Sequence, residues 1–332
     1  MNIFSAGAQP SYAPAFEVFN GDHTPHAEIP SRVDRISEAL DRSFHERVSV
    51  HAPATVEEVA TVHDKQYIQY LSKTCSDLGL GDYRYPSVFP HGVARFGASD
   101  VAKIGRYAFD TFSPLIPETF HAASLSAAVA LATAKYVHET GKGAYALCRP
   151  PGHHAESARF GGYCYFNNSA LAAEYLSGFG RVAVLDVDFH HGNGTQQIFW
   201  ERPDVLTVSI HADPDWKFPY FTGFADEIGQ GAGEGYNLNI SLSKNTGNDV
   251  YQRSLEIACE RVASFHPTAI VIAYGADTHV DDPIGGFVLT TDYYVQMAAT
   301  IASLRIPTMI VQEGGYNTAL LGDNVVSFLS GF

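Results

Sequence analysis

Paired cysteines are missing from this sequence. Cys75, Cys148, Cys164 and Cys259 are scattered through 332 residues with no Cys-x-x-Cys spacing, which excludes a disulfide framework and a thiolate zinc site. Positive charge is scarce: 21 Lys and Arg stand against 36 Asp and Glu, a formal charge of −15, and phosphate-backbone binding needs clustered cations, so no nucleic-acid partner is expected. A cationic ligand suits this field better. No stretch approaches the ~20 apolar residues that cross a bilayer, and the opening MNIFSAGAQPSYAPAF lacks a basic region followed by an apolar run. The expectation is a cytoplasmic protein with no membrane partner. There is no Pro/Ser-rich linker, internal repeat or low-complexity tract, so residues 1–332 read as one domain, and 45% apolar residues supply a large core.

What is present is an alternation of short β-branched runs and helical patterns. The runs are Tyr145 to Cys148, Val182 to Val187, Val205 to Ile210, Ala269 to Tyr274 and Thr308 to Gln312. Between them lie helical patterns at Ala122 to His138, Asn168 to Leu176, Asp249 to Phe265 and Asp292 to Leu304. This is an α/β fold with a mostly parallel sheet and helices on both faces. Polar, Gly- and His-rich segments follow the strand ends: RPPGHH, DFHHGNG, GADTHVDDP and EGGYN. Open α/β sheets bind ligands there, so the four segments should converge on one crevice. Residues 76–118 carry little periodicity but many aromatics, and read as a long loop that forms a lid, binding loop or interface.

In LDVDFHHGNGT, Asp188 and His190 can point to one side of an extended backbone, a placement that suits a divalent metal or, equally, a satisfied buried polar pair. Asp277 offers a third ligand from a neighbouring strand end. Three ligands and a water make a catalytic zinc site, whereas a structural site would be closed by a fourth residue, for which His279 is near in sequence. His153 and His154 stand in tandem in a Pro-Gly turn, as proton-transfer groups or as surface residues. Tyr316, after two glycines, can donate its hydroxyl to an oxyanion or be simply a loop aromatic.

Together, RPPGHHA, FGGYCYFNN, LDVDFHHGNGTQ, VSIH, GADTHVDDPIGGF and QEGGYN, in this order, resemble the histone deacetylase and acetylpolyamine amidohydrolase superfamily from about Ile29 onward. CRPPGHHA, GNGTQ, the FPYF segment and the long loop are most similar to the bacterial acetylpolyamine amidohydrolases. The resemblance implies the arginase/deacetylase-type α/β fold and a zinc-dependent amidohydrolase acting on N-acetyl (acyl) amides of small cationic amines. It places the zinc ligands on Asp188, His190 and Asp277, the tandem histidines on His153 and His154, and the carbonyl-polarising tyrosine on Tyr316. In the implied mechanism His154 takes a proton from the attacking water and returns it to the leaving amine, while His153, held by Asp186, stays positively charged. Asp186 and Ser209 fall on a monovalent cation site, expected to hold K+. Tyr163 and Phe218 match the aromatics flanking the substrate channel, with Glu17, Gly162 and Gly314 as further substrate positions.

Two departures qualify the match. Asn193 stands where nuclear-type deacetylases carry a carboxylate beside the second histidine, which should leave His154 less basic. Ala102 or Lys103 stands where polyamine enzymes carry a Glu that attracts the distal ammonium. The resemblance also implies a homodimer, with the 76–118 loop packing across its axis and walling the channel. A class II acetyl-lysine protein deacetylase and a silent acyl-amine binding module are the alternatives. A binuclear manganese ureohydrolase is disfavoured because His279 replaces a bridging Asp.

Overall fold

The computed structural model describes residues 1–7, 11–43, 46–90, 97 and 99–332. Its strands are β1 (Asn2–Ala6), β2 (Phe16–Phe19), β3 (Asp22–Pro25), β4 (Arg47–Val50), β5 (Ala144–Leu147), β6 (Val182–Asp186), β7 (Val205–Ala212), β8 (Asn237–Leu242), β9 (Ala269–Tyr274) and β10 (Thr308–Gln312). Eight form one parallel sheet in the order β4-β1-β5-β10-β9-β6-β7-β8, and β2 pairs with β3 as an antiparallel hairpin.

The helices are α1 (Ser31–Arg42), α2 (Val56–Val59), α3 (Lys65–Asp77), α4 (Asp100–Tyr107), α5 (Thr119–Thr140), α6 (Asn168–Ser177), α7 (Asn193–Phe199), α8 (Asn248–Phe265), α9 (Thr291–Ala302) and α10 (Leu321–Leu329). The apolar runs of the central strands arise because both faces are covered. Side chains alternate between them: Ala183 and Leu185 of β6 pack with α1, α8, α9 and α10, while Val182 and Val184 pack with α5 and α6. Ile270, Ile272 and Tyr274 of β9 face the first layer, and Ala269 and Val271 the second. A separate aromatic-rich core, including Tyr67, Tyr107, Phe160 and Tyr165, fills the space between α3, α4 and α5.

All five expected strands are present, and the main sheet holds three more that fall outside the sequence reading, as does the β2–β3 hairpin. NIFSA and RVSV are short, and NLNISL carries asparagines at buried positions. The Nδ2 groups of Asn237 and Asn239 donate to the Gln196 side-chain carbonyl at 2.9 and 2.8 Å, a long-range pairing that no local pattern announces. Residues 76–118 also differ from expectation. They are not one unstructured loop: α3 runs to Asp77, α4 spans 100–107, and Arg84 bridges Leu115. Tyr83 and Tyr85 stack on each other, with centroids 6.1 Å apart, and are engaged by the chain's own hairpin through Ala15 N–H to Tyr83 Oη and Tyr85 Oη–H to the Phe16 carbonyl. Phe96, another aromatic of this segment, lies outside the described residues. Among the described residues no helix is long and apolar enough to cross a membrane.

Candidate metal and catalytic site

The four polar segments follow β5, β10, β9 and β6, which are adjacent at the centre of the sheet. Their convergence on one crevice follows from strand order. Beyond β6 the backbone is bent rather than extended, which corrects the extended geometry expected for Asp188 and His190. Asp186 Oδ1 accepts the Asp188 N–H at 3.0 Å, and Asp188 Oδ1 accepts the His190 N–H at 2.8 Å. Two successive Asx turns thus fold both ligand candidates onto one spot.

Asp188, His190 and Asp277 are buried, and one potential ligand atom from each lies within 4.8 Å of the others. His190 Nδ1 is 3.0 Å from Asp277 Oδ2 and 3.5 Å from Asp188 Oδ1. The edge of a tetrahedron with metal–ligand bonds of about 2.0–2.1 Å is about 3.3 Å, so this spacing fits a small divalent ion. The other carboxylate oxygens are held by backbone: Gly314 N–H donates to Asp188 Oδ2 at 2.8 Å and Phe189 N–H to Asp277 Oδ1 at 3.2 Å. Burial and the neighbouring Asp188 push the Asp277 carboxyl up to about 7, the cost of two adjacent buried carboxylates that a cation would compensate. A divalent metal therefore fits this donor set. His279 stands apart from the group, accepting the Asp281 N–H on Nδ1.

The histidine pair is built from behind. Glu313 Oε2 accepts the N–H groups of Gly152 and His153 at 2.6 and 3.1 Å, and Oε1 accepts the Ser169 hydroxyl at 2.7 Å. His153 Nδ1 contacts Asp186 Oδ2 at 2.9 Å. Burial lowers its pKa, but Asp186, Asp188 and Glu313 outweigh that and raise it to about 10, so the ring is cationic at neutral pH. His154 goes the other way: burial first, then the charges of His153 and His190, hold it well below its ordinary value.

The tautomer of His154 is fixed by Asn193. The Asn193 Nδ2 donates to Glu156 Oε1 at 3.2 Å and to the His154 carbonyl at 3.3 Å, so its Oδ1 must accept from His154 Nδ1–H at 2.8 Å. That leaves Nε2 as the unprotonated nitrogen of a ring lining the cavity. Glu156 in turn accepts from Arg159 Nε at 2.7 Å. The carboxylate absent beside His154 stands one amide further back.

Tyr316 is set by two side chains, Asp282 and Arg32. Asp282 Oδ2 accepts its N–H at 2.7 Å, Arg32 stacks on its ring at 4.8 Å, and Arg32 also donates to the Gly315 and Glu313 carbonyls, at 2.6 Å each. Burial keeps the phenol well above its ordinary pKa, so it retains the proton it would donate.

A cavity of about 360 Å³ brings together Glu17, His154, Gly162, Tyr163, His190, Phe218 and Tyr316. Phe218 meets His154 edge-on at 5.0 Å, and Tyr163 meets Tyr316 at 5.7 Å. Gly162, at φ +55, approaches His154 so closely that a Cβ would lie 2.2 Å from its Cδ2. Asp110 holds the Gly162 N–H and Ser113 Oγ accepts the Tyr163 N–H at 2.8 Å, so the 108–118 stretch supports this wall, and Phe112 lines it.

Asp186, Asp188, Asn193, Ser209, Asp277 and Gly314 stand behind the lining. Gly314 was expected at the substrate; it lies against the two candidate ligand carboxylates instead, where a Cβ would be 2.4 Å from Asp277 Oδ2 and 2.6 Å from Asp188 Oδ2. Asp186 and Ser209 are register partners on β6 and β7, with Ser209 Oγ 2.7 Å from His211 Nδ1. Ala102 and Lys103 lie on α4, away from the lining. The sequence reading did not single out Glu28, Arg32, Asp110, Glu156, Asp282 or Glu313. Their neighbours HHA, DDP and QEGG gave a positional hint for Glu156, Asp282 and Glu313, and nothing local marked the others.

The fold and this donor set define an α/β domain of the arginase/deacetylase class. Its crystal-structure relatives include the acetylpolyamine aminohydrolase of Burkholderia pseudomallei, with TM-score 0.94, 36% identity, and coverage of 100% of this chain and 98% of that one. The HDA15 HD domain superposes with TM-score 0.82 at 26% identity, covering 99% and 86%. The histone deacetylase domain profile matches residues 26–332, and the chain belongs to that family. Acetylpolyamine amidohydrolase 1 of Pseudomonas aeruginosa is 40% identical over 95% of this chain and 94% of its own length. The acetylpolyamine amidohydrolase of Mycoplana ramosa is 38% identical, with the same coverage.

Proposed function

We propose that this protein is a zinc-dependent amidohydrolase that removes the acetyl group from the nitrogen of a small cationic acyl amine, as the names of its bacterial relatives suggest. The observation that carries the reading is the buried Asp188–His190–Asp277 group at the cavity that His154 lines with an unprotonated Nε2. A zinc ion on these three ligands would polarise the acyl carbonyl and make the attacking water more acidic.

The chain's own residues supply the rest. His154 Nε2 accepts the water's proton and delivers it to the amine nitrogen as the C–N bond breaks, so acetate and a free amine result. His153, cationic through Asp186, adds fixed positive charge beneath the site. The Tyr316 hydroxyl donates to the carbonyl oxygen as it becomes negative. Tyr163 and Phe218 flank the methylenes, and Glu17 attracts an ammonium. A K+ ion at Asp186 and Ser209 and a homodimer across residues 76–118 belong to the same reading; exposed Leu80, Val88 and Phe89 on that segment support the latter.

The test loads the protein with zinc and measures acetate release from acetylputrescine, acetylcadaverine, acetylspermidine and acetyl-lysine peptides. Hydrolysis of the small amines is expected, with metal content lost in Asp188→Ala, His190→Ala or Asp277→Ala. Failure of protein holding one zinc per chain to cleave any of them refutes the reading. Light scattering tests the dimer, which a monomer at micromolar concentration refutes.

A further inference from the structure

The cavity wall carries a charge that a cation-binding channel does not need. Lys217, half-buried, lines the same cavity as Glu17 and Tyr316. An ammonium offers three donors. Lys217 Nζ donates to the Ile284 carbonyl at 2.5 Å and stands 5.3 Å from the centre of the Phe189 ring. Among the described residues no carboxylate pairs with it: Asp277 and Asp282 act on it from a distance, and burial, the larger effect, pushes its pKa down. A desolvated ammonium without an anion at hydrogen-bonding range is costly, and a ligand that brings the anion recovers that cost.

Glu17 has the opposite sign. It is buried, and its carboxylate accepts the Ala27 N–H at 3.3 Å. Among the lining residues Glu17 is the carboxylate and Lys217 the ammonium, with Phe112, Phe218 and Ile284 as apolar wall. Two ammonium groups of a polyamine would meet one favourable and one repulsive partner there. A carboxylate and an ammonium on the same small molecule would each find a counterpart.

We propose that Lys217 and Glu17 together read an amino-acid head group, so that the preferred substrates are ω-N-acyl α-amino acids. The acyl amide sits at Asp188, His190 and Asp277, the methylenes lie along the apolar wall, the carboxylate meets Lys217 and the α-ammonium meets Glu17. This rests on the deacetylase reading and names its substrate class. The chemistry is the same hydrolysis, giving acetate and a free diamino acid.

Nε-acetyl-lysine and N-acetylcadaverine form a matched pair, differing by the carboxylate alone. With zinc-loaded protein, kcat/KM is expected to favour acetyl-lysine by at least tenfold, chiefly through KM. Lys217→Met should bring the ratio to within about twofold of one, and Lys217→Arg, which keeps the charge, should preserve it. Calorimetric titration of the metal-free protein with lysine and with cadaverine gives a second readout, in which lysine binds more tightly and loses that advantage in Lys217→Met. Cleavage of both substrates without preference for acetyl-lysine, or a preference that Lys217→Met does not move, overturns the proposal while leaving the deacetylase reading intact. Absence of any cleavage refutes that reading instead, and the calorimetry then decides the head-group site by itself: lysine binding no tighter than cadaverine overturns it.

Discussion

Gly314→Ala should cost the protein its metal without touching the substrate cavity. The Gly314 φ is not in the left-handed region, so alanine meets no backbone strain there. The obstacle is space: the new Cβ would stand 2.4 Å from Asp277 Oδ2 and 2.6 Å from Asp188 Oδ2, where ordinary contact begins at 3.4 Å. Relief requires the two carboxylates or the loop to retreat by about 1 Å in all, whereas metal–ligand distances tolerate about 0.2 Å. The retreat also loosens the Gly314 N–H bond that orients Asp188. Perturbing groups that orient ligands costs 10- to 100-fold in affinity, and a shift of this size belongs at the upper end, about 2.7 kcal/mol. Competition with a chromogenic chelator measures zinc affinity directly, and circular dichroism checks the fold. Gly178→Ala is the control, because its Cβ meets only the Tyr175 carbonyl at 3.4 Å and its φ is −61. Wild-type zinc affinity in folded Gly314→Ala would refute the placement of these carboxylates as ligands.

Three further outcomes are expected. Tyr316→Phe should lower turnover by roughly 10²-fold while substrate still binds, since one transition-state donor is lost; unchanged turnover in steady-state kinetics removes Tyr316 from the mechanism. Glu156→Leu frees the Asn193 amide to turn over and present Nδ2 to His154, so kcat should fall by roughly tenfold with KM and zinc content near wild type; an unaltered kcat shows that Glu156 does not set the tautomer. Asp110 titrates at about 7 in the folded chain, raised by burial from 3.8, so the folded state holds an extra proton between those values and its contribution to stability falls as pH rises through that window. Melting temperatures of Asp110→Asn should accordingly decline less between pH 5 and 7.5 than those of the wild type, and parallel pH profiles would contradict the assignment.

Much of the site was legible because its chemistry is concentrated in short segments at strand ends. RPPGHH, DFHHGNG, GADTHVDDP and EGGYN mark the loops after β5, β6, β9 and β10, and the buried apolar runs before them mark the strands. From these the sequence alone determined a parallel α/β fold and named Asp188, His190, Asp277, His153, His154 and Tyr316 as a set. The family resemblance carried by these segments also set Asn193 against the carboxylate of nuclear-type deacetylases. Tertiary structure decided what depends on groups far apart in the chain. β5 and β10 become neighbours only through the crossover order of the sheet, and so Glu313 can hold the backbone of His153. Arg32 reaches Tyr316 from α1, 284 positions away, and its role lies in a stacking contact that no local pattern encodes. Gly314 illustrates the same limit: the sequence shows a flexible residue beside Tyr316, and only packing shows that its missing side chain makes room for two carboxylates. Lys217 is one residue from an expected channel aromatic, yet its lack of a paired carboxylate among the described residues is a property of the folded cavity. Local order fixes which groups are offered at a strand end; the sheet's crossovers fix which offers meet.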